Sequence, residues 1–382
     1  MAPFLFLGTL LLSGCTPANA KTVAGIGRNA LEAMVTAAAP ATALQEPAQT
    51  APAADSAIDT QESSATPGPV AETPLPSPVP VSMIPLTDPL NTPTAELSGL
   101  AWHGEQLILL PQYPSRFGGS VFSLDKAEIG AFLRGESAGP LAPQPIAFDD
   151  GALYSLVDGF EGFEAITFDG DRAYLTVESR TPFGMLGILV SGQMGMDGAL
   201  LSIDPFTQRS IPAQAGLTNM TDEAVTRLGD LLITLYEANG ANVNPQPQAH
   251  LFDGSLTPLG AVPAPTIEYR VTDATDVDEA GRFWVINYMW PGDANKLVPA
   301  PDNLARPPDS SEQVERLVEF QLSDEGIVPS GTPPIYLQLL PGGISRNWEG
   351  VVRYQDGELD GFLLVTDEFP TTMLGFVPRP AE

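Results

Sequence analysis

The chain has 382 residues, 43% of them hydrophobic, and carries 47 acidic against 17 basic side chains, a formal net charge of −30. That length holds one large domain or two ordinary ones, and the acidic excess, with no run of Lys or Arg, excludes a nucleic-acid binder. A single cysteine and two histidines exclude an internal disulfide, a cysteine-built metal site and a histidine-rich one, and no G-x-S-x-G is present to seat a nucleophilic serine.

Residues 1–20 read as an export signal. An apolar run reaches Gly14, and Leu12-Ser13-Gly14-Cys15 has the form of a bacterial lipobox. It predicts cleavage before Cys15, lipidation of its sulfur, and a periplasmic or cell-envelope lipoprotein that touches the membrane only through its lipid. Ala18-Asn19-Ala20 offers the alternative, ordinary cleavage after Ala20 and a secreted product. The run is too short to span a bilayer. Residues 21–80 follow as a linker. Apart from a short helical pattern at 25–39, they are mostly Ala, Pro, Thr, Ser and Gln with almost no large apolar residues, and such a segment buries too little apolar surface to offset its ordering entropy.

From residue 81 the texture changes to short β runs between Gly, Pro, Asp and Asn turns. One pattern recurs: an acidic residue, a small one, an apolar strand, a turn, then a strand ending in a polar residue. Residues 98–112 carry it with the acid, Glu96, two positions early. Residues 163–180 carry it with Glu164 and Glu178 about the turn Asp169-Gly170-Asp171. Residues 221–239 carry it with Glu223 and Glu237, residues 273–287 with Asp273 and Asn287, and residues 349–367 with Glu349 and Asp367. Outer strands are predicted after each: 120–124 and 145–148, 199–203 and 209–212, 250–252 and 256–264, 315–321 and 335–339. Only 373–377 follows the last hairpin, so residues 81–86 are expected to supply its fourth strand. The fold class is all-β, a five-bladed β-propeller over 81–382 with the ring closed by an N-terminal strand; a sixth, degenerate blade is the alternative. Residues 181–198, rich in Gly and Met, read as a long loop able to act as a flap.

In a propeller the first strand of each blade lines the channel, so both acids of each hairpin fall on one face. A ring of carboxylates there would share protons, pair with arginine or bind a hard cation. Glu164, Glu223, Asp273, Glu349 and Asp367 are the candidate ligands of a Ca²⁺ ion, which takes six to eight oxygens. Of the arginines beside the repeats (Arg180, Arg270, Arg346), Arg180 and Arg346, with Trp348, are the candidates to hold an anionic ligand. Glu178 and Glu237 are the candidate general bases. The alternative is structural: an acid at a strand start accepts backbone N–H groups of the next blade.

Glu96-Leu97-Ser98-Gly99-Leu100, Phe163-Glu164-Ala165-Ile166, Asp222-Glu223-Ala224-Val225 and Trp348-Glu349-Gly350-Val351 resemble the phytase-like propellers described as "esterase-like activity of phytase". The likeness covers about residues 90–377. It implies an exported propeller acting on phosphate esters, although this chain lacks the lysine- and arginine-rich cradle of propeller phytases. The expected function is a divalent-cation-dependent hydrolase of a small anionic ester or phosphoester. A non-catalytic propeller that binds a protein or envelope ligand through its loops is the alternative.

Overall fold

The computed structural model describes residues 77–304, 306 and 313–380. The signal segment, Cys15, the helix expected at 25–39 and most of the linker lie outside them.

Among the described residues, twenty-one strands form five blades around a channel. After β1 (Ser82–Ile84), the first blade runs β2 (Leu97–His103), β3 (Gln106–Pro111), β4 (Ser120–Asp125) and β5 (Gln144–Asp149). The second is β6 (Phe160–Asp169), β7 (Arg172–Thr181), β8 (Gly184–Met194) and β9 (Leu200–Pro212). The third is β10 (Asp222–Leu228), β11 (Leu231–Tyr236), β12 (Gln248–Asp253) and β13 (Pro258–Pro263). The fourth is β14 (Arg270–Ala274), β15 (Arg282–Tyr288), β16 (Glu315–Ser323) and β17 (Gly326–Pro329), with β18 (Ile335–Tyr336) on a second stretch of β16. The fifth is β19 (Trp348–Asp356), β20 (Leu359–Thr366) and β21 (Leu374–Pro378). Its fourth strand is β1, antiparallel to β21 with Ser82 opposite Phe376 and Ile84 opposite Leu374. The ring thus closes between the two ends of the domain, at five blades and without a sixth. β5 and β9 also pair, in parallel, joining the outer edges of the first two blades.

The inner hairpins follow from their turns. Gly104-Glu105, Gly170-Asp171, Gly229-Asp230 and Gly357-Glu358 are two-residue loops whose glycines have φ of 58°, 58°, 60° and 61°. Glycine meets that left-handed requirement without steric cost, and such loops match the strand twist. Apolar residues on the two faces of each blade then pack against the neighbouring blades. Five core clusters result, for example Leu100, Phe122, Leu363 and Phe376 between the first and fifth blades, and Ile286, Leu317, Trp348 and Phe362 between the fourth and fifth.

Three expectations change. Residues 181–198 are no flap: most of them are β8, which pairs with β7 from Thr181–Gly184 to Arg172–Gln193. The apolar run Leu186 to Val190 is what makes it a strand. The two expected strands at 199–212 are one, β9. In the fourth blade β17 completes the path, and the expected strand at 335–339 is only the short β18. A helix, α1 (Lys126–Leu133), sits between β4 and β5, capped by Asp125, whose carboxylate accepts the Ala127 N–H at 2.8 Å.

Candidate functional site: a carboxylate-lined cavity at the channel mouth

The recurring acid–small–apolar pattern has a structural cause. In every inner strand the pairing slips at the same place: between Leu97 and Gly99, Phe163 and Ala165, Asp222 and Ala224, Val271 and Ala274, and Trp348 and Gly350. Each slip is a β-bulge, which leaves an extra residue unpaired and re-aims its side chain. In four blades the extra residues are Ser98, Glu164, Glu223 and Glu349, and all four line one cavity of about 340 Å³. The small residue that follows is needed because the inner strands of adjacent blades nearly touch. A Cβ on Gly350 would stand 2.7 Å from Val365 Cγ2 and 3.1 Å from the carbonyl carbon of Gly99; one on Gly99 would stand 3.2 Å from Ala165 Cα.

The fourth blade departs from the rest. Its bulge spans Thr272 and Asp273, and Asp273 does not line the cavity. Its Oδ2 accepts the Val351 N–H at 2.7 Å, while Thr272 Oγ1 donates to the Trp348 carbonyl at 2.7 Å. Asp273 is therefore the blade-linking acid. That blade presents Arg270 instead, the one basic residue on the cavity wall among the described residues.

The second position of each hairpin closes the ring. Gln112, Glu178 and Asp367 line the cavity, with Glu368, Asn219, Asn347, Trp290 and Phe369 contributed by the loops. Glu237 lies behind the wall, with its Oε1 2.6 Å from Arg270 Nη1; Arg270 Nε in turn donates to Asp293 Oδ2 at 2.5 Å, and Lys296 Nζ stands 3.3 Å from Asp293 Oδ1. Asn287 is buried. Its amide donates to the carbonyls of Glu268 and Arg270, and its oxygen accepts from Arg316 Nε at 2.7 Å.

Two expected anion holders are placed elsewhere. Arg346 is buried against Glu315, with Nη2 2.8 Å from Oε2, and Trp348 is fully buried, its Nε1 donating to the same oxygen at 2.8 Å. Arg180 stays half-exposed in a two-pronged bond to Glu161 at 2.6 and 2.8 Å. Glu96, the early acid of the first hairpin, pairs with Arg116.

Electrostatics dominate this cavity. Burial pushes the carboxyls of Glu164, Glu223 and Glu349 well above the usual range, and mutual repulsion adds to it: Glu178 acts on Glu164, Glu237 on Glu223, Asp367 on Glu349. Glu178 rises to about 8, chiefly by burial and then by the Glu237 charge. Asp367 rises to about 6, by burial and then by Glu96. Burial also raises Glu237, and Arg270 opposes that rise. Arg270, 2.6 Å from Glu237, favours the charge of the Glu223–Glu237 pair on Glu237. Gln112 Nε2 donates to Glu164 Oε1 at 3.1 Å and Tyr288 Oη to Glu349 Oε1 at 2.9 Å. Glu178 Oε1 is buried with no hydrogen-bond partner. Among the described residues, no three His, Cys, Asp or Glu side chains are grouped so as to hold a metal ion, and no helix is long and apolar enough to cross a membrane.

Ser98, Gln112, Asn219, Asn347 and Glu368 were not singled out from sequence. For Ser98 and Gln112 the repeat itself carries the signal, since they hold the two positions that are acidic in the second blade. The loop residues carry none.

No family model and no curated protein matches the chain. Solved structures do. They include the catalytic domain of a GH62 α-L-arabinofuranosidase from Coprinopsis cinerea (TM-score 0.44, 9% identity, 80% of this chain and 97% of that one). An exo-1,5-α-L-arabinanase from a bovine ruminal metagenomic library is similar at TM-score 0.43 and 11% identity, over 77% of this chain and 95% of that one. A Bombyx mori GH32 β-fructofuranosidase matches at TM-score 0.41 and 11% identity over 79% of this chain, which spans 60% of that enzyme's length. The fold and the cavity together define a class: a five-bladed β-propeller with an acidic pocket at one mouth of its channel.

Proposed function

We propose that the cavity is the active site of a hydrolase acting on a small ester or phosphoester with the help of a hard divalent cation such as Ca²⁺. The observation that carries this is the convergence of Glu164, Glu178, Glu223, Glu349 and Asp367, from three blades, on one cavity wall that has Arg270 as its only base. The donors are carboxylate and amide oxygens, the ligands hard cations take, and Glu178 Oε1 lacks any partner; among the described residues no three acids are yet grouped about one point, so their side chains would have to close on the ion. Glu164, Glu223, Glu349 and Asp367 would hold it. A bound cation supplies Lewis acidity and lowers the pKa of water.

The chain's own residues supply the rest. Glu178, titrating near neutrality, takes a proton from the attacking water. Glu178 then returns that proton to the departing alkoxide. Arg270 faces the negative charge that develops on the substrate. The likeness of four short motifs to the phytase-like propellers supports the same reading, and export through Cys15 belongs to it.

The test is a thermal melt of the purified protein in EDTA and then in millimolar Ca²⁺ or Mg²⁺, followed by a screen of ester and phosphoester substrates. A ligand that binds only the folded state raises Tm by mass action. The expected result is a cation-dependent rise that disappears in Glu164→Gln with Glu223→Gln, and cation-dependent turnover. No shift and no turnover would leave a proton-sharing pocket in a non-catalytic binding propeller.

A further inference from the structure

A second cavity, of about 250 Å³, lies beside the first. Its wall is mostly aromatic: Tyr113, Phe148, Tyr154, Phe160 and Phe163, with Ser115 and Asp150 as its polar side chains. The rings hold one another edge to face, with centroids 5.1 Å apart for Phe148–Phe163, 5.3 Å for Phe160–Phe163 and 5.5 Å for Tyr154–Phe160. Tyr154 is 64% exposed at the rim.

The two cavities adjoin along the segments Gln112-Tyr113 and Phe163-Glu164. Gln112 and Glu164 face the carboxylate cavity, and their chain neighbours Tyr113 and Phe163 face the aromatic one. The Phe163 N–H donates to the Gln112 carbonyl at 3.0 Å, which fixes the two segments together. The double bulge of β6, at Phe160–Gly162 and again at Phe163–Ala165, lets consecutive residues serve both cavities.

The polar groups of the second cavity are largely spent within the protein. The Asp150 carboxylate accepts the N–H groups of Ala152 at 3.0 Å and Tyr154 at 3.4 Å, Tyr113 Oη donates to the Glu161 carbonyl, and the Gly119 carbonyl accepts from Phe148 N at 2.8 Å. What remains for a guest is chiefly ring faces and edges, with the Asp150 carboxylate and the Ser115 hydroxyl beside them. A planar apolar group would stack there. The volume exceeds the roughly 150 Å³ that takes a benzene ring and suits a fused bicyclic one.

We propose that this aromatic cavity is a subsite for an aryl or fused-ring group of a ligand whose polar, esterified end lies in the carboxylate cavity. The inference rests on the hydrolase reading for the polar end and names its substrate class: aryl esters or aryl phosphoesters rather than small aliphatic ones.

The test uses 2-naphthol, 2-naphthyl phosphate and inorganic phosphate, titrated calorimetrically into the full chain in millimolar Ca²⁺. The expected result is that 2-naphthol binds, and that Tyr154→Ala with Phe160→Ala weakens it at least tenfold while the Ca²⁺-dependent rise in Tm is unchanged. Tyr154→Ala alone, a change at an exposed rim, is expected to act in the same direction with the melting curve preserved. 2-Naphthyl phosphate is expected to bind about tenfold more tightly than either fragment; Glu164→Gln with Glu223→Gln should remove that gain and leave 2-naphthol binding intact. Absence of 2-naphthol binding, or equal binding by the aromatic variants, overturns the subsite. Binding of 2-naphthyl phosphate no tighter than 2-naphthol overturns the joint occupancy. Should the protein turn nothing over, 2-naphthol binding and its loss in the variants still report the subsite, so the two readings fail separately.

Discussion

Removing Arg270 tests the electrostatic account of the cavity most directly. Its guanidinium is buried between two carboxylates that have almost no exposure of their own, Glu237 at 2.6 Å and Asp293 at 2.5 Å. Arg270→Met keeps much of the stem and deletes the charge. Breaking a buried ion pair at one partner costs about 3–5 kcal/mol, because a charge is left without compensation. At about 2 °C of Tm per kcal/mol for a domain of this size, the expected fall is roughly 6–10 °C. The size should depend on pH, and its sign is fixed. Without the guanidinium, which opposes their rise, the folded-state pKa values of Glu237 and Glu349 climb further, so the folded variant binds protons that the unfolded chain releases. Its stability is then lost as pH rises through those values, and the gap from the parent protein widens from pH 5 to pH 8. Differential scanning fluorimetry of both proteins at the two pH values measures this. A loss below about 2 °C at pH 8, or an equal loss at both, would refute the idea that Arg270 is the charge about which the ring is balanced.

The parent protein should itself lose stability with rising pH. Glu178 has a folded-state value of about 8 against an ordinary 4.5, and Asp367 about 6 against 3.8; the stability tied to each is fully present below the ordinary value and is lost as pH climbs through the raised one. Glu178→Gln is expected to flatten the slope of Tm between pH 6 and pH 8.5, and an unchanged slope counts against the assignment. Gly350→Ala is expected to cost about 1–3 kcal/mol by overpacking the contact between adjacent inner strands, read as a lower midpoint in urea; an unchanged midpoint would show that the strands can move apart. Asp273→Ala should cost a similar amount by leaving the Val351 N–H buried and unpaired, with the Ca²⁺-dependent shift in Tm preserved, because Asp273 stands outside the cavity.

Much of this architecture was legible because the chain repeats itself. Two-residue Gly-acid turns set the inner hairpins, and the acid–small–apolar step recurs at the same place in each. That step is a bulge plus a tight contact between strands, and both demands leave marks on residue type: a residue aimed at the channel, then Gly or Ala. β8 was misread because Gly184, Gly187, Gly192 and Gly195 suggest a loop, while the pairing with β7 and β9 over its length outweighs their intrinsic cost. The arginines were harder. Arg180, Arg270 and Arg346 all flank repeat motifs, and only the packing of Asp293 and Glu237 behind the wall draws Arg270 to the cavity, whereas Glu315 takes Arg346 into the core. Pairing partners that lie 20 to 40 residues away leave no local trace.

The fourth blade shows why a repeat is a weak guide to a site even when it is a strong guide to a fold. Asp273 occupies the bulge as Glu164, Glu223 and Glu349 do, yet it is one methylene shorter and reaches the Val351 N–H of the next blade instead of the channel. Its hairpin partner is Asn287, a neutral amide that binds backbone carbonyls and Arg316. Both acidic positions of that blade are thereby withdrawn from the ring, and a guanidinium enters in their place. A cavity with five equivalent carboxylate pairs would carry too much like charge to remain folded at neutral pH. One blade turned to structural use, carrying the only base, lets the remaining carboxyls share their protons and keeps the cavity asymmetric. A ligand in that cavity therefore meets acids from three blades, the neutral Ser98 and Gln112 from another and a guanidinium from the last, which gives it one preferred orientation.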